Sequence, residues 1–147
     1  MSASAREALV VAIVARLRAD ANLRSLVAGS DGEAKVFDQV DADTAFPYVY
    51  VGPLSLTRDP DEGHCSPVRA ARVRIFSVSQ AFGRMQAAEI GQAVEDCLTD
   101  AMLSVDPPYV ATRRLVFVQS GDVIEPDDPK AVFADFETTL AWPAKGD

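Results

Sequence analysis

Phe46-Pro47-Tyr48-Val49-Tyr50-Val51-Gly52 is the stretch on which the fold turns. Its apolar side chains fall on both sides of an extended backbone, so the strand it opens is expected to be central or covered on both faces. Pro47 stands at the strand entry, where its missing N–H costs little. Downstream, Thr57 to Ser66 reads as a loop rich in acids, with Pro60 and Gly63 inside it. The next strand, Val68 to Ser79, alternates clearly: Val73 and Ile75 point one way, Arg72 and Arg74 the other. Upstream, Gly29 to Glu33 is a turn cluster, Lys35 to Val40 a short strand and Asp41 to Ala45 a polar linker.

Two helices precede these strands, Ser4 to Ala19 and Asn22 to Ala28. Ser4 is placed to cap the first, with Glu7 at the capping-box spacing. Leu9, Ala12, Ile13, Arg16 and Leu17 form one face of that helix, and Val10, Val11 and Val14 widen the apolar surface beyond a normal stripe. Either the neighbouring short helix covers the excess or a second subunit does. A third helix is expected from Gly83 to Leu103, with Ala87, Ile90, Val94, Leu98, Ala101 and Met102 on its apolar face and Gln86, Glu89, Glu95, Asp96 and Asp100 on the remainder. Pro107-Pro108 prevents any continuation.

Two final strands, Thr112 to Val123 and Lys130 to Trp142, flank the acidic turn Glu125-Pro126-Asp127-Asp128-Pro129. Val132, Ala134, Phe136, Leu140 and Trp142 share one face of the last strand, with Asp135 and Glu137 opposite. Adjacent strands joined by hairpin-like links imply an α+β fold. A single domain over residues 1–147 is expected, with a largely antiparallel or mixed sheet of four to five strands covered by two main helices.

The 147 residues are 48% hydrophobic and 24% charged, an ordinary globular composition. Fourteen Lys and Arg against twenty-two Asp and Glu leave a net charge of −8. That balance disfavours sequence-specific nucleic-acid binding, which relies on clustered basic side chains, and docking on an anionic membrane. The longest apolar run, Ala8 to Ala15, is far short of the roughly 20 residues that span a bilayer, and the N-terminus lacks the order of a signal peptide. Cys65 and Cys97 are the only cysteines; one bridge between them is open, and reduced thiols in a cytoplasmic setting are the simpler reading. One histidine and two cysteines disfavour structural zinc.

No catalytic signature is present: there is no nucleophile elbow, phosphate-binding glycine loop or dinucleotide fingerprint. His64 beside Cys65 forms the right pair of residue types for nucleophilic catalysis, but neighbours in a loop rarely face each other and no orienting third group is identifiable. Asp59, Asp61, Glu62 and His64 lack the spacing of a calcium loop, as do Asp122, Glu125, Asp127 and Asp128; both sets read as solvated acidic loops. Tyr48, Tyr50, Phe76, Phe117 and Phe136 lie in strands and belong to core or interface. Arg72 and Arg74 on one strand face Asp135 and Glu137 on another if the two share a sheet. The plain reading is a solvated sheet face, where such pairs contribute only ~0.2–1 kcal/mol each. The alternative is charge complementarity between copies of the subunit.

The pattern as a whole resembles a phage tail completion family. The apolar first helix, Phe46-Pro47-Tyr48-Val49 followed by Val51-Gly52, the strand Arg72-Val73-Arg74-Ile75-Phe76-Ser77, the helix after Gly83 and the Asp122 to Trp142 segment carry the resemblance. Members resemble the tail terminator of lambda-like phages and occur in prophages and gene transfer agents. The resemblance implies a non-enzymatic α+β subunit without cofactor or metal, forming a homo-hexameric ring on the last ring of the tail tube. That ring stops tube growth, joins the tail to the head connector or stopper protein, and resides in the virion tail or neck after assembly in the host cytoplasm. The segment Thr57 to Ser66 is longer and more acidic than the family pattern, and it is expected to contact a neighbouring subunit or the connector. The candidate interface residues are therefore Val10, Val11, Val14, Arg72, Arg74, Asp135 and Glu137, together with Asp59, Asp61, Glu62 and His64 of that loop. Three other roles remain open on the residues alone: another head–tail connector component, a small ligand-binding α+β module, and a metal-dependent hydrolase using the acidic loops.

Overall fold

The computed structural model describes residues 4–40, 43–58, 68–80, 84–123 and 130–142. Helix α1 (Ala5–Ala19) begins where its cap predicts: the Ser4 hydroxyl accepts from the Glu7 N–H at 3.1 Å. Asp20 ends this helix and starts the next. Its N–H donates to the Leu17 carbonyl at 3.2 Å, and its carboxylate accepts from the Leu23 N–H at 2.8 Å, capping α2 (Ala21–Val27).

The sheet holds β1 (Val36–Phe37), β2 (Tyr48–Arg58), β3 (Arg69–Ser79), β4 (Val110–Ala111), β5 (Val116–Val123) and β6 (Lys130–Ala141), with α3 (Met85–Leu98) between β3 and β4. In space the order is β1-β2-β3-β6, and both β4 and β5 pair along the far side of β6. Only the β1–β2 pairing is parallel, so the α+β class and the mixed sheet stand as expected.

The described residues hold six strands, because the two-residue β4 lies just before the expected strand Thr112 to Val123, which itself begins only at Val116. Val110 and Ala111 pair with Ala141 and Leu140, and pairing resumes at Val116 opposite Glu137. Four residues, 112–115, thus face only Thr138 and Thr139 of β6. The excess is absorbed by local bonds. The Thr112 N–H donates to the Thr139 carbonyl at 2.9 Å and the Thr138 hydroxyl to the Arg113 carbonyl at 2.8 Å, while Leu115 turns inward and is buried. β1 is likewise shorter than the expected Lys35 to Val40, pairing over two residues only. The Val36 carbonyl is satisfied by Arg18, whose Nε and Nη2 donate at 3.1 and 2.7 Å.

The third helix also stops early, at Leu98 instead of Leu103. Thr99 donates its N–H to the Glu95 carbonyl, and Asp100 then adopts a left-handed φ of 62°, which no continuing helix allows. Asp100 and Leu115 fasten the outgoing chain with bonds of 3.0 and 2.8 Å, from Asp100 N–H to the Leu115 carbonyl and from Leu115 N–H to the Ala101 carbonyl. Ala101 is buried from this extended segment and not from a helix face, and Met102 is exposed. Gln86, expected on the solvated side, is half-buried and bonded to the hydroxyl of buried Ser79.

All three helices pack on one face of the sheet: α1 against β1 and β2, α3 against β3 and β6, and α2 against α1 and α3. Leu9, Ile13 and Leu17 of α1, Ile90 and Leu98 of α3, Ile75 of β3, and Phe136 and Leu140 of β6 are all but completely removed from water in this layer. Each fully buried side chain of this size contributes roughly 1.5–3 kcal/mol. Among the described residues no helix lies on the opposite face, which carries the candidate residues of β3 and β6.

Candidate functional site

The antiparallel register of β3 and β6 sets Arg72 opposite Glu137 and Arg74 opposite Asp135, with Phe76 opposite Phe133 one step further along the same face. Asp135 is only 2% exposed, so it does not sit on a solvated sheet face as the alternation implies. Its carboxylate accepts a two-pronged bond from Arg74, Nε at 2.8 Å and Nη2 at 3.0 Å, and weaker contact from Arg72 Nη2 at 3.4 Å. Gln119 of β5 completes the shell, donating from Nε2 at 2.8 Å. Arg72 reaches Glu137 as well, at 3.6 Å.

The Arg74 hydrogen bonds, opposed in part by burial and helped by Gln119 and by the Arg74 charge, hold the Asp135 carboxyl at a pKa of about 2. The Arg74 guanidinium is raised in turn, chiefly by its bond to Asp135. It lies 4.1 Å over the Phe133 ring, so its flat face is covered as its edge is bonded. This arrangement is a three-strand clasp: one carboxylate on β6 ties β3 through the arginines and β5 through Gln119. Both oxygens of the Asp135 carboxylate are engaged by these partners, so the group acts here as a structural tie.

Towards β2 the same face becomes aromatic. Tyr50 stacks on Phe76 with centroids 5.9 Å apart, and Tyr48 sits against Phe46 at 5.5 Å and Phe37 at 6.5 Å. Burial raises the Tyr48 hydroxyl pKa. These rings are half-buried by one another and not by a helix, so the double cover expected for this strand is realised only on the Val49 and Val51 side. Gly52 is required by the packing, because a Cβ there would come 2.7 Å from Cε2 of Phe76. Gly52 and Pro53 also form the irregular step between Val51 and Leu54 in the β2–β3 register.

The first-helix valines separate by environment. Val10 and Val14 are half-buried against the core, and Val11 is 58% exposed. Val10 and Val11 line a groove of about 650 Å³ with Arg6, Tyr50 and Pro53. Pro53 and Leu54 also border a smaller cavity of about 240 Å³ over Arg72, Arg74 and Asp135, so the irregular step in β2 adjoins both sets of candidate residues. Asp59, Asp61, Glu62 and His64 lie outside the described residues, as do Cys65, Glu125, Asp127 and Asp128; Asp122 is on β5. Among the described residues no cluster of His, Cys, Asp or Glu is placed to hold a metal ion, and no helix is long and apolar enough to cross a membrane. Cys97 is a buried free thiol whose pKa is pushed up to about 11, mainly by desolvation.

Gln119 and Phe133 carry no signal of the site in the sequence, and Gly52 is read there only as the close of the Phe46 to Gly52 stretch. Only register places Gln119 and Phe133 beside the charged pair, whereas the close of the Phe46 to Gly52 stretch did contain a signal, a glycine next to a strand that must accept an aromatic ring.

The family described as "Tail completion protein gp17" matches residues 11–141, almost the whole fold from α1 to the end of β6. The chain belongs to this tail completion family. Membership gives it a structural role in a phage-type tail. Among solved structures, a chain from the virion of a native gene transfer agent (GTA) particle superposes with a TM-score of 0.77 at 24% identity, covering 95% of this chain and 99% of that one. The fold is thus shared over essentially the full length of both. No curated protein matches the sequence significantly.

Proposed function

We propose that this tail completion protein is a tail terminator: six copies form a ring on the last ring of the tail tube, stop its growth and present a surface to the head connector or stopper protein. The observation that carries the reading is the family match across residues 11–141. The likeness to a gene transfer agent virion chain, complete over 99% of that chain, supports a particle-bound location; in this reading the subunit sits in the tail or neck after assembly in the host cytoplasm. The subunit acts by shape and adhesion and not by catalysis. A net charge of −8 repels DNA phosphates, which keeps a ring through which DNA passes from binding its cargo.

The partners in this reading are the tail-tube protein, the connector and five further copies of the chain. The Thr57 to Ser66 segment is proposed as a contact element towards a neighbour or the connector, on its length and its acidic composition. The experiment is deletion of the gene in a particle-producing strain, followed by negative-stain imaging. Tubes of unregulated length without heads are expected. Tubes of normal length joined to heads would rule the terminator role out.

A further inference from the structure

We propose that the ring contact joins opposite edges of the sheet: Val116 and Val118 on β5 of one copy seat in the groove between α1 and β2 of the next, against Val10, Val11 and Pro53. The proposal rests on the ring reading above and names its interface.

Six large apolar residues are exposed among the described ones; Met85 opens α3 and Met102 follows its end, while the four valines fall in two places, Val110, Val116 and Val118 at the β4–β5 edge and Val11 at the groove beside β2. The strand order puts these two patches at opposite ends of the sheet. A closed ring is built from head-to-tail contacts that use two different surfaces on each subunit, and a twofold dimer uses one surface twice. Two separate apolar patches at opposite edges fit the first geometry.

The two patches also differ in local backbone form. Val118 is the extra residue in the β5–β6 register, between Phe117 opposite Phe136 and Gln119 opposite Asp135, so β5 is irregular where it carries its exposed valine. β2 borders a groove. Its pairing with β1 ends at Tyr50, and just past that point strand addition is hindered: Pro53 has no N–H, and the Leu54 carbonyl is taken by the Arg6 guanidinium. Beside this stretch lies the side-chain groove of about 650 Å³.

Charge selects the same pairing. Glu7 and Asp38 line the groove and are exposed, with no side-chain bond to another described residue. At the other edge, in the break between β4 and β5, the Arg113 side chain is exposed and makes no such bond either. In a protein of net charge −8, copies repel at long range, and an unpaired arginine meeting two unpaired carboxylates offsets that repulsion in one relative orientation.

Disulfide trapping tests the contact. Val11→Cys and Val118→Cys are made singly and together in a chain carrying Cys65→Ser; Cys97 is buried with a raised pKa and contributes no competing cross-link. Mixing the two single variants under mild oxidation should give a covalent dimer and nothing larger, and the double variant should give a ladder of higher species. Arg113→Glu in the same background should slow trapping by up to about fivefold, the ceiling for an exposed pair. Sedimentation of the unaltered chain, alone and with tail tubes, reports ring formation independently. Rings without a Val11–Val118 cross-link, or cross-links between like variants only, would overturn this interface and leave the ring reading intact. A cross-link without rings on tubes would keep the contact and remove the ring. Neither rings nor cross-links would remove both.

Discussion

Replacing Asp135 by Asn tests the three-strand clasp. The folded carboxyl sits at a pKa of about 2 against an ordinary value of 3.8. At about 1.4 kcal/mol per unit, that difference corresponds to a ceiling of about 2.5 kcal/mol of stability at neutral pH. The Arg72 and Arg74 side chains are 45% and 40% exposed, so solvent screening brings the contribution to about 1–2 kcal/mol. Because the folded pKa is depressed, the contribution is fully present above the unfolded pKa and is lost as pH falls through the folded one. The stability difference between the native protein and Asp135→Asn should therefore be largest near pH 7, begin to shrink below about pH 5 and lose roughly half its linkage part by about pH 3. Urea unfolding of both proteins at closely spaced pH values measures this directly. An Asp135→Asn protein as stable as the native one at pH 7, or a difference that stays flat from pH 6 to 3, would refute the argument that Arg74 and its neighbours hold this carboxylate ionised.

Other outcomes follow from single positions. Leu115→Ala removes a buried side chain that the chain break turns inward, and should cost about 3 kcal/mol in chemical denaturation with an unchanged m-value. Val11→Asp should leave unfolding within about 0.5 kcal/mol of native, because the site is exposed, while lowering assembly in sedimentation; Val14→Asp, half-buried against the core, should lower the melting temperature itself. Gly52→Ala should destabilise by about 1–3 kcal/mol, since Phe76 must give way to the new Cβ. With Cys65 replaced by Ser, Cys97 at a pKa of about 11 should react with a disulfide reagent at pH 8 about 100-fold more slowly than a free thiol until the protein is unfolded.

Much of this architecture is written locally. The start of α1 is legible because a short polar side chain, Ser4, can satisfy an N–H left over at the helix end. β3 is legible because alternation survives wherever one face is buried and the other is not. The end of α3 is hidden by Asp100, which takes the left-handed turn usually marked by glycine, while Ala101 and Met102 continue the helical spacing by coincidence. The break between β4 and β5 is equally silent, since Thr112 to Leu115 contains no glycine or proline and its excess is absorbed by threonine bonds formed across to β6. Asp135 shows why the candidate site was read only in part. A charged residue at an alternating position signals solvent, and only the register with Arg72 and Arg74, plus Gln119 arriving from another strand, turns it into a buried one. The valines of α1 could not be sorted from sequence at all, because whether a wide apolar stripe is covered from within or from outside depends on where β2 runs.

Cryo-electron microscopy of tail-tube ends, prepared with and without this protein, tests the central claim most directly. The account predicts one sixfold ring of this fold capping the end that receives the head, absent when the protein is omitted, with the β4–β5 edge of each subunit against α1 of the next. Bare tube ends in the presence of excess protein, or rings stacking one upon another without limit, would contradict it.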